Sequence, residues 1–557
     1  MDPLLVGRSR EIDDVVDLVG SAGRVVTVVG FPGVGKSALA IAVAHALRRK
    51  SVVSLRMDAA GCRSATALLR RVIAVLGLRF RADDPIDRKY MYNWINAHEQ
   101  RTLLLFDDVD DLPEAEVGRL GDVIDEVTAN VRNVRILCTS HRRLYRVGAN
   151  REVYRLGDIG SASESLVSRL LPDLHGDGVK SLTAACDHLP LALRVACDAL
   201  SSDRGDVDAG RLFELLTTVD GRHRSSAFGA AVEQLFADDE VDQRRLHLLT
   251  DCLLTTIDAV ECPTSALRLM TKTACFAGSG FDVEEARSAL GEVDAACSLQ
   301  STLDRLVDLG VVARLPTTPT RYRWRSFVSL IASSTLSGAQ SAECDVTFKR
   351  EVIGRLTAAA DRYHESVHGC YLALQAVEVE YDNVVDALWR TLDREDVYDD
   401  LAALARLNAG AFLSDVLPDD VYVALYEAME REAAERGSSN DTHTIGVRSR
   451  ALSCLSYRHL AAGRTAEALS CAERAVELSS DDGEATVSAL YCLSRSQKSG
   501  RERRKALSTA RQAFDACKTA GLIIPLVELT NIVAVYAVEW YAWMLTQSDN
   551  FQTARHW

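Results

Sequence analysis

The feature that most constrains this chain is a glycine-rich segment that begins at Gly30 and reads GFPGVGKSALA. It fits the phosphate-binding pattern of Gly, four residues, then Gly-Lys-Ser, which ends here at Gly35, Lys36 and Ser37. The preceding run RVVTVV predicts a buried strand, and the following run SALAIAVAHAL predicts a helix with an apolar face. A chance match to the pattern is the alternative, but the order of strand, loop and helix predicts a P-loop.

The chemistry of phosphate binding explains these residue types and their spacing. Glycines have no Cβ, so successive backbone N–H groups can surround a phosphate while the helix N-terminus adds partial positive charge. Lys36 is predicted to reach the β- and γ-phosphates and Ser37 to bind Mg²⁺. The residues of this loop that we predict to contact nucleotide are Gly30, Pro32, Gly33, Val34, Gly35, Lys36, Ser37 and Ala38.

Length, charge and cysteine usage limit the class of protein. The 557 residues are enough for several domains, and the net charge of -15 argues against a basic nucleic-acid-binding surface. The 14 Cys include no C-x-x-C pair, which favours reduced thiols over a zinc site or a disulfide framework. The start lacks a signal-peptide pattern, and the apolar run from Leu522 carries Glu528 and Glu539, which favours a packed helix over a membrane span. We therefore expect a cytoplasmic protein with no membrane and no direct nucleic-acid partner.

A second half of the nucleotide site is predicted downstream. Alternating strand and helix patterns follow the loop and predict a parallel α/β sheet. The run RTLLLFDDVDD then predicts a buried strand that ends in acidic residues. Asp107 is predicted to face the Mg²⁺ shell and Asp108 to orient or deprotonate an attacking water. A strand followed by a solvated acidic turn is the alternative.

Polar residues also end the next predicted strand, NVRILCTSH. Ligands of open α/β sheets gather at the carboxyl ends of strands, so Thr139, Ser140, His141 and Arg142 are candidates to face the γ-phosphate. The arginine-rich stretch 132–155 around them is interpreted mostly as a solvated basic face.

The order of these motifs resembles that of the STAND class of P-loop switch ATPases, specifically the NB-ARC or AP-ATPase type of apoptosis regulators, plant resistance proteins and bacterial regulators. VGRSREID resembles the family's motif beside the adenine, which implies nucleotide contacts for Val6, Gly7 and Arg8. CDHLPLAL resembles its proline motif, which implies that Pro190 lies against the adenine base. The alternative for Pro190 is a helix start at the first position.

The resemblance has two departures at the phosphate-sensing positions. The family carries His-Asp in its winged helix where this chain has Arg325 and Ser326, so Arg325 is expected to contact phosphate as a permanent cation. His141 occupies the usual place of an arginine that senses the γ-phosphate, and Arg142 is the candidate substitute. The winged helix is expected to act as a clamp on the nucleotide rather than to read a DNA groove.

The resemblance and the sequence patterns together predict a multidomain protein in which an α/β P-loop NTPase with a parallel sheet precedes helical segments. Two repeat-like stretches, with Gly463 and Gly500 in their turns, indicate that the last helical segment consists of repeats. A polar cap is missing after them, which suggests a truncated array. The predicted domains are a P-loop nucleotide-binding domain (1–160), a small helical subdomain (161–235), a winged-helix subdomain (236–335), a helical linker (336–396) and tetratricopeptide-like repeats (397–557).

One further pattern has a chemical alternative. HESVH, from His364 to His368, matches the zinc-protease pattern H-E-x-x-H, which requires both histidines on one helical face. No third ligand is evident in the sequence, so a structural helix is the favoured interpretation.

The expected function is a slow regulatory ATPase that uses ATP or ADP with Mg²⁺ as a conformational switch. A protein or small-molecule ligand on the repeats is expected to favour the ATP state, which forms homo-oligomers in this family. Two alternatives stay open: a nonenzymatic scaffold with structural ADP, and the regulatory part of a transcription factor whose DNA-binding domain lies outside this chain.

Overall fold

In a computed structural model, the chain divides into two compact units, residues 1–348 and 349–557. The residues that the structure describes are 5–21, 25–59, 62, 64–76, 78, 85–97, 101–112, 114–141, 151–200, 245, 249, 263–276, 278–291, 299–308, 310–315, 317, 319–325, 328, 329, 332, 338–363, 365–392, 401–405, 407–436, 442–479 and 483–521.

A parallel β-sheet forms the centre of the first unit. Its described strands occur in the order β2-β3-β4-β1-β5, and all four pairings are parallel. Strand β1 is buried along its whole length, which explains why its sequence is a continuous apolar run without alternation. The predicted α/β class is thereby confirmed. The strands are β1 (Val25–Val29), β2 (Val52–Asp58), β3 (Arg101–Asp107), β4 (Val134–Ser140) and β5 (Arg151–Arg155).

Helices pack against this sheet and share one apolar core with it. Fully buried members of that core come from two helices and three strands, as Val15, Val26, Leu39, Leu103 and Leu137 illustrate. The two helices are α1 (Ser9–Ser21) and α2 (Lys36–Arg48). The other helices of this part of the chain are α3 (Ala65–Val75), α4 (Pro85–Ala97) and α5 (Glu114–Asn130), with a short 3₁₀ turn at Val109–Asp111.

Strand β5 shows where the sequence interpretation was incomplete. It lies within the stretch interpreted as a solvated basic face, and its residues are only partly buried. It pairs with β1 alone among the described strands, so it is an edge strand whose charged side chains remain near solvent. The charged residues of β5 therefore prevented its prediction from the sequence. The strand lies at the edge of the sheet next to β1, which precedes the glycine loop.

Helices and a hairpin complete the first unit. The antiparallel hairpin joins β6 to β7, with Val312 opposite Trp324. The predicted helical character of 161–235 is seen at 162–200, and residues 201–235 lie outside the described residues. The elements are α6 (Ala162–Leu170), α7 (Asp177–Ala185), α8 (Pro190–Leu200), α9 (Pro263–Thr273), α10 (Val283–Leu290), α11 (Leu299–Asp308), β6 (Val312–Leu315) and β7 (Arg321–Trp324).

A buried ion pair connects this hairpin to helix α10. Arg321 on β7 and Glu285 on α10 each expose 1% of the side chain and lie 2.9 Å apart. Arg321 also donates to the carbonyl oxygens of Ser279 and Gly280. Glu285 belongs to a capping box, in which its carboxylate accepts from the backbone N–H of Asp282 at the start of α10. Glu285 thus both caps the N-terminus of α10 and neutralises the buried Arg321.

The described part of the second unit is helical. In the repeat-like stretches, Gly463 lies in a turn with φ of 75°, and the small residues Ala468, Ala472 and Ala475 are fully buried where helices meet. Residues 522–557 lie outside the described residues, and so does the apolar run from Leu522. Helix α12 (Gly338–Tyr363) begins in the first unit and ends in the second. The helices after it are α13 (Val367–Leu392), α14 (Leu407–Val416), α15 (Asp419–Arg436), α16 (Thr442–Ala461), α17 (Thr465–Leu478), α18 (Gly483–Ser499) and α19 (Arg503–Thr519).

The HESVH segment is not one helix, so the interpretation as a structural helix was wrong at this point. Helix α12 ends at Tyr363 and α13 begins at Val367, with Glu365 and Ser366 between them. His364 lies outside the described residues. A zinc site of the H-E-x-x-H type needs both histidines on one helical face, and this break removes that face. Among the described residues, no three or more His, Cys, Asp or Glu side chains form a group that could hold a metal ion.

Two further expectations from the sequence concern the cysteines and a possible membrane span. The described cysteines form no disulfide, and most are buried. None of the described helices combines the length and the apolar character needed to cross a membrane.

The buried pair of Arg321 and Glu285 gives a stability prediction. Glu285→Ala leaves the buried guanidinium with only the Asp282 carboxylate at 3.9 Å and removes one half of the capping box, so we expect a loss of about 3 kcal/mol in the free energy of unfolding. Urea unfolding measures this change. The matched control is Glu284→Ala, because Glu284 is 79% exposed and pairs with Arg287 on the surface; its effect should stay within about 0.5 kcal/mol. Equal effects of the two substitutions would contradict this account.

Candidate nucleotide-binding site

The glycine-rich loop connects β1 to α2 in a conformation that its glycines make accessible. Gly33 and Gly35 have φ of 83° and 99°, in the region that favours glycine. Helix α2 begins at Lys36, so its N-terminal N–H groups belong to the loop. The Lys36 ammonium donates to the carbonyl oxygens of Gly30 and Phe31 at 2.9 and 3.2 Å. The loop therefore has the backbone shape of a phosphate cradle, with its cation inside and Ser37 and Ala38 on the following turn.

Carboxylates oppose the effect of burial on this lysine. Burial lowers the pKa of Lys36, and the charges of Asp110, Asp108 and Asp107 act to raise it. Asp107 ends strand β3, and Asp108 and Asp110 come just after it. The carboxyl end of β3 lies near the loop because β1 and β3 are both neighbours of β4. The site thus pairs one loop cation with an acidic edge, as a site for phosphate and a divalent cation requires.

Arg8 fixes the N-terminal segment to the loop. Its side chain is 3% exposed and donates to the carbonyl oxygens of Val34 at 3.0 Å and Gly157 at 2.6 Å, while Glu11 balances its charge at 2.8 Å. Gly7, with φ of 71°, packs so closely on helix α6 that a Cβ there would lie 2.3 Å from that of Ala162. The segment predicted to lie beside the adenine therefore borders the glycine loop.

The start of helix α8 borders the loop from another direction. The Leu191 N–H donates to the Gly33 carbonyl oxygen at 3.2 Å. A Cβ on Gly33 would lie 2.8 Å from the Leu191 Cβ, so only glycine permits this approach. Pro190 occupies the first position of α8, where its missing N–H costs no hydrogen bond. The structural and the nucleotide-binding interpretations of Pro190 are thus compatible.

The turn before Pro190 has an unusual backbone. Asp187 and His188 both have positive φ, 46° and 53°, which is costly for residues other than glycine. Side chains hold the turn in place: Ser163 Oγ lies 2.8 Å from His188 Nδ1, and Arg245 donates to Asp187 at 2.5 Å. Arg245 also reaches Asp158 at 2.9 Å, so this turn is tied to the segment after β5.

Asp107 is buried, and both of its carboxylate oxygens have protein partners. Arg56 on β2 donates to one oxygen at 2.6 Å, and Thr139 on β4 donates to the other at 2.8 Å. The Thr139 hydroxyl in turn accepts from the backbone N–H of Asp108 at 2.8 Å, and Asp108 has φ of 65°. The carboxyl ends of three adjacent strands thus meet at one carboxylate.

A second carboxylate, which the sequence did not single out, connects the ends of β3 and β4. Asp110 accepts from Ser140 Oγ at 2.5 Å and from the His141 N–H at 2.8 Å, and its Oδ2 lies 3.0 Å from His141 Nδ1. The hydroxyls of Thr139 and Ser140, which were predicted to face the γ-phosphate, are therefore bonded to the acidic residues of the site. His141 lies at the predicted edge of the sheet, held there by Asp110.

Arg325 follows strand β7 and belongs to the same electrostatic neighbourhood. Its side chain is accessible to solvent, yet the protein around it is dense enough to lower its pKa. Asp58 and Asp108 act to raise this pKa, and the cations Arg323 and Arg194 act to lower it. A solvent-accessible guanidinium from the hairpin thus lies within electrostatic range of the acidic edge.

The structure gathers most of the predicted site residues from distant parts of the sequence. Arg142 lies outside the described residues, so its predicted role stays a prediction. Chemistry-bearing residues that the sequence did not single out are Arg56, Asp58, Asp110, Arg194, Arg245 and Arg323. For Arg56 and Asp58 the only signal is their position at the end of a predicted strand.

Comparison with known families supports the nucleotide-binding character of this region. Residues 19–146 match the sequence family described as AAA domain. The matched range contains the glycine loop and the strand that ends at Asp107, so this part of the chain is an AAA-type P-loop domain. Domains of this type bind ATP or ADP, usually with Mg²⁺. Comparison with curated proteins gives no match.

Solved structures with a similar arrangement share little sequence with this chain. A STAND protein with a tetratricopeptide repeat sensor from Pyrococcus horikoshii is 13% identical, with 98% of this chain and 84% of that chain covered and a TM-score of 0.41. The ORC2 protein of Aeropyrum pernix is 13% identical over 59% of this chain and 93% of that one, with a TM-score of 0.27. Cdc6p from Pyrobaculum aerophilum is 16% identical over 62% and 96%, with a TM-score of 0.27. We draw no functional conclusion from these likenesses.

The bonds to Asp110 predict a dependence of stability on pH. Burial alone would raise the pKa of Asp110, but hydrogen bonds from His141 and Ser140 and the charges of His141 and Lys36 lower it from 3.8 to about 2. Because the folded-state pKa is depressed, ionised Asp110 stabilises the protein by about 2 kcal/mol above pH 5, and this contribution is lost as the pH falls from about 4 towards 2.

Asp110→Asn tests this dependence by urea unfolding at pH 7 and pH 3. The variant should be less stable than the wild type at pH 7, and the gap should narrow at pH 3 because the Asp110 carboxyl of the unfolded chain becomes protonated there, while that of the folded chain, with a pKa of about 2, is still largely ionised. Asp125→Asn is the control, since that side chain is 69% exposed. A gap of constant size at both pH values would show that the Asp110 charge contributes no stability.

Proposed function

We propose that this chain is an ATP/ADP-dependent signal-transduction switch of the STAND class, in which the nucleotide state controls the position of the segments around the glycine loop. The observation that carries the proposal is that separate segments contact or face this one loop and its acidic edge. Arg8 bonds to Val34, the start of α8 bonds to Gly33, and Arg325 after the hairpin lies within electrostatic range of Asp58 and Asp108. A nucleotide bound in the loop would therefore touch segments that belong to different predicted subdomains.

The residues of the loop and the acidic edge suit ATP with Mg²⁺. The backbone N–H groups of the loop and the Lys36 ammonium would hold the phosphates, and Ser37 and Asp107 would hold Mg²⁺. The metal supplies charge neutralisation on the phosphates. Arg56 and Thr139 fix the orientation of Asp107, and Asp108, on its strained backbone, would orient or deprotonate the attacking water.

The same arrangement supports a switch rather than a rapid enzyme. A ligand shifts an equilibrium between two conformations only when it contacts them differently. The γ-phosphate is the group that differs between ATP and ADP, and His141 is the residue proposed to respond to it, while Arg325 is proposed to contact the phosphates of bound ADP. Hydrolysis then acts as a slow timer. The helical repeats of the second unit are proposed to bind the activating protein or small molecule, and the ATP state is proposed to form homo-oligomers.

Substitutions in the loop and at the acidic edge separate binding from hydrolysis. Lys36→Ala should abolish binding of a fluorescent ATP or ADP analogue, because the phosphates lose their cation. Asp108→Asn should keep ATP binding and slow phosphate release by about a hundredfold, the usual contribution of a general base. Indistinguishable phosphate release by the wild type and Asp108→Asn would favour the scaffold with structural ADP. Absence of any ATP or ADP binding by the wild type would contradict the switch itself.

The proposed phosphate contact of Arg325 has its own test. Arg325→Ala should release a bound ADP analogue about tenfold faster, because a charge-assisted hydrogen bond to phosphate contributes on the order of 1.5 kcal/mol. Stopped-flow fluorescence measures the release rate. Arg287→Ala is the control, since Arg287 pairs with Glu284 on the exposed face of α10. Unchanged ADP retention in Arg325→Ala would exclude the contact.

A further inference from the structure

Asp58 lies at the rim of the nucleotide site, at the end of strand β2. It is aligned with Asp107 at the end of β3, and the Ala59 N–H donates to the Asp107 carbonyl oxygen at 2.7 Å. Side chains alternate along a strand, so Asp58 shares a face with Arg56, which binds the Asp107 carboxylate. The Asp58 carboxylate is therefore a neighbour of the proposed Mg²⁺ ligand and is not part of the glycine loop.

The partner of Asp58 comes from the hairpin. Arg323 on β7 donates to the Asp58 carboxylate across 265 positions of sequence. The Arg323 side chain is 10% exposed and that of Asp58 is 44% exposed. A guanidinium that is this strongly desolvated is costly to leave without a carboxylate. Loss of the partner would therefore cost more free energy for the desolvated Arg323 guanidinium than for the partly exposed Asp58 carboxylate.

Strand β7 is held rigidly within its own subdomain. The next residue, Trp324, donates its indole N–H to Thr273 on α9 at 2.8 Å, and Arg321 is held by the buried Glu285. The bond from Arg323 to Asp58 therefore connects two packed bodies of the first unit. Such a pair avoids much of the entropy cost that weakens ion pairs between mobile side chains.

The turn before the hairpin also lies close to helix α8. Gly310, with φ of 71°, lies in the turn before β6, and a Cβ there would lie 3.8 Å from Arg194 Cζ. Arg194 lies one turn after Pro190, and it pairs with Asp198 at 3.8 Å. The hairpin thus bonds to the P-loop sheet at Asp58, and the turn before it lies beside Arg194 on the helix that borders the loop.

We propose that the ion pair between Asp58 and Arg323 is a latch that holds the hairpin against the rim of the nucleotide site and sets the rate at which nucleotide leaves. This inference deepens the proposed function and rests on it for the effect on nucleotide. With the latch closed, Arg325, two residues beyond Arg323, remains beside the acidic edge. With the latch open, the hairpin and Arg325 move away together, and the phosphate end of the site becomes accessible.

Charge substitutions test the latch with a built-in rescue. Asp58→Asn and Arg323→Gln each remove the pair, and the combination Asp58→Arg with Arg323→Asp restores it with reversed charges. Arg314→Gln is the matched control, because Arg314 pairs with Asp304 within the hairpin subdomain and does not reach the P-loop sheet. Stopped-flow release of a fluorescent ADP analogue and hydrogen–deuterium exchange of residues 312–324 in the nucleotide-free protein are the two measurements.

The single substitutions should release the analogue about threefold to tenfold faster, and the reversed pair should return the rate to within about twofold of the wild type. Raising the salt concentration from 0.05 to 0.5 M should speed release from the wild type and have less effect on Arg323→Gln. Exchange of 312–324 should rise in both single variants and fall again in the reversed pair. The control should leave release and exchange near wild type.

The outcomes separate the latch from the proposed function. If Asp58→Asn and Arg323→Gln leave both release and exchange unchanged, the latch is wrong, although nucleotide binding stands. If the wild type binds no nucleotide but exchange rises in the single variants and the reversed pair restores it, the mechanical latch stands and the proposed function is wrong. Equal disturbance by Arg314→Gln would overturn the latch, because it would show a general loosening of the hairpin.

Discussion

Parallel strands that end at the same edge of a sheet are the constraint on which the candidate site depends. Strands β1, β2, β3 and β4 end at Val29, Asp58, Asp107 and Ser140, and each end carries either the glycine loop or a polar side chain. An antiparallel order would send alternate ends to opposite edges and disperse these groups. The apolar runs within the strands therefore position the chemistry, although none of their buried residues takes part in it.

At that edge, opposite charges are matched across strands and across subdomains. Arg56 neutralises Asp107 within the sheet, while Arg323 from the hairpin reaches Asp58. Lys36 faces three aspartates. The described side chains of this edge are thus close to charge balance among themselves. In the proposed switch, a polyphosphate with its metal would rearrange these pairs when it binds, and this rearrangement would couple binding to the positions of neighbouring segments.

The sequence predicted the P-loop, the parallel sheet and the helical remainder because each depends on local pattern: apolar runs, glycine spacing and repeat-like turns. It did not predict β5, because the charged residues of an edge strand resemble a solvated loop. Nor did it identify Asp110 or the pair of Asp58 and Arg323, since their partners are fixed only when strands take neighbouring places in the sheet and the hairpin packs on it. The break after Tyr363 also escaped prediction, because no proline or glycine marks the end of α12.

The strained turn at Asp187 and His188 has an energetic consequence for the segment that follows it. Two adjacent residues with positive φ raise the energy of this conformation by about 1–3 kcal/mol each, and bonds from Ser163 and Arg245 keep it populated. The start of helix α8, where Leu191 approaches Gly33, therefore depends on side-chain bonds made by residues far away in the sequence. Loss of the bond from Arg245 or Ser163 would favour a relaxed turn and, with it, a different start of the helix.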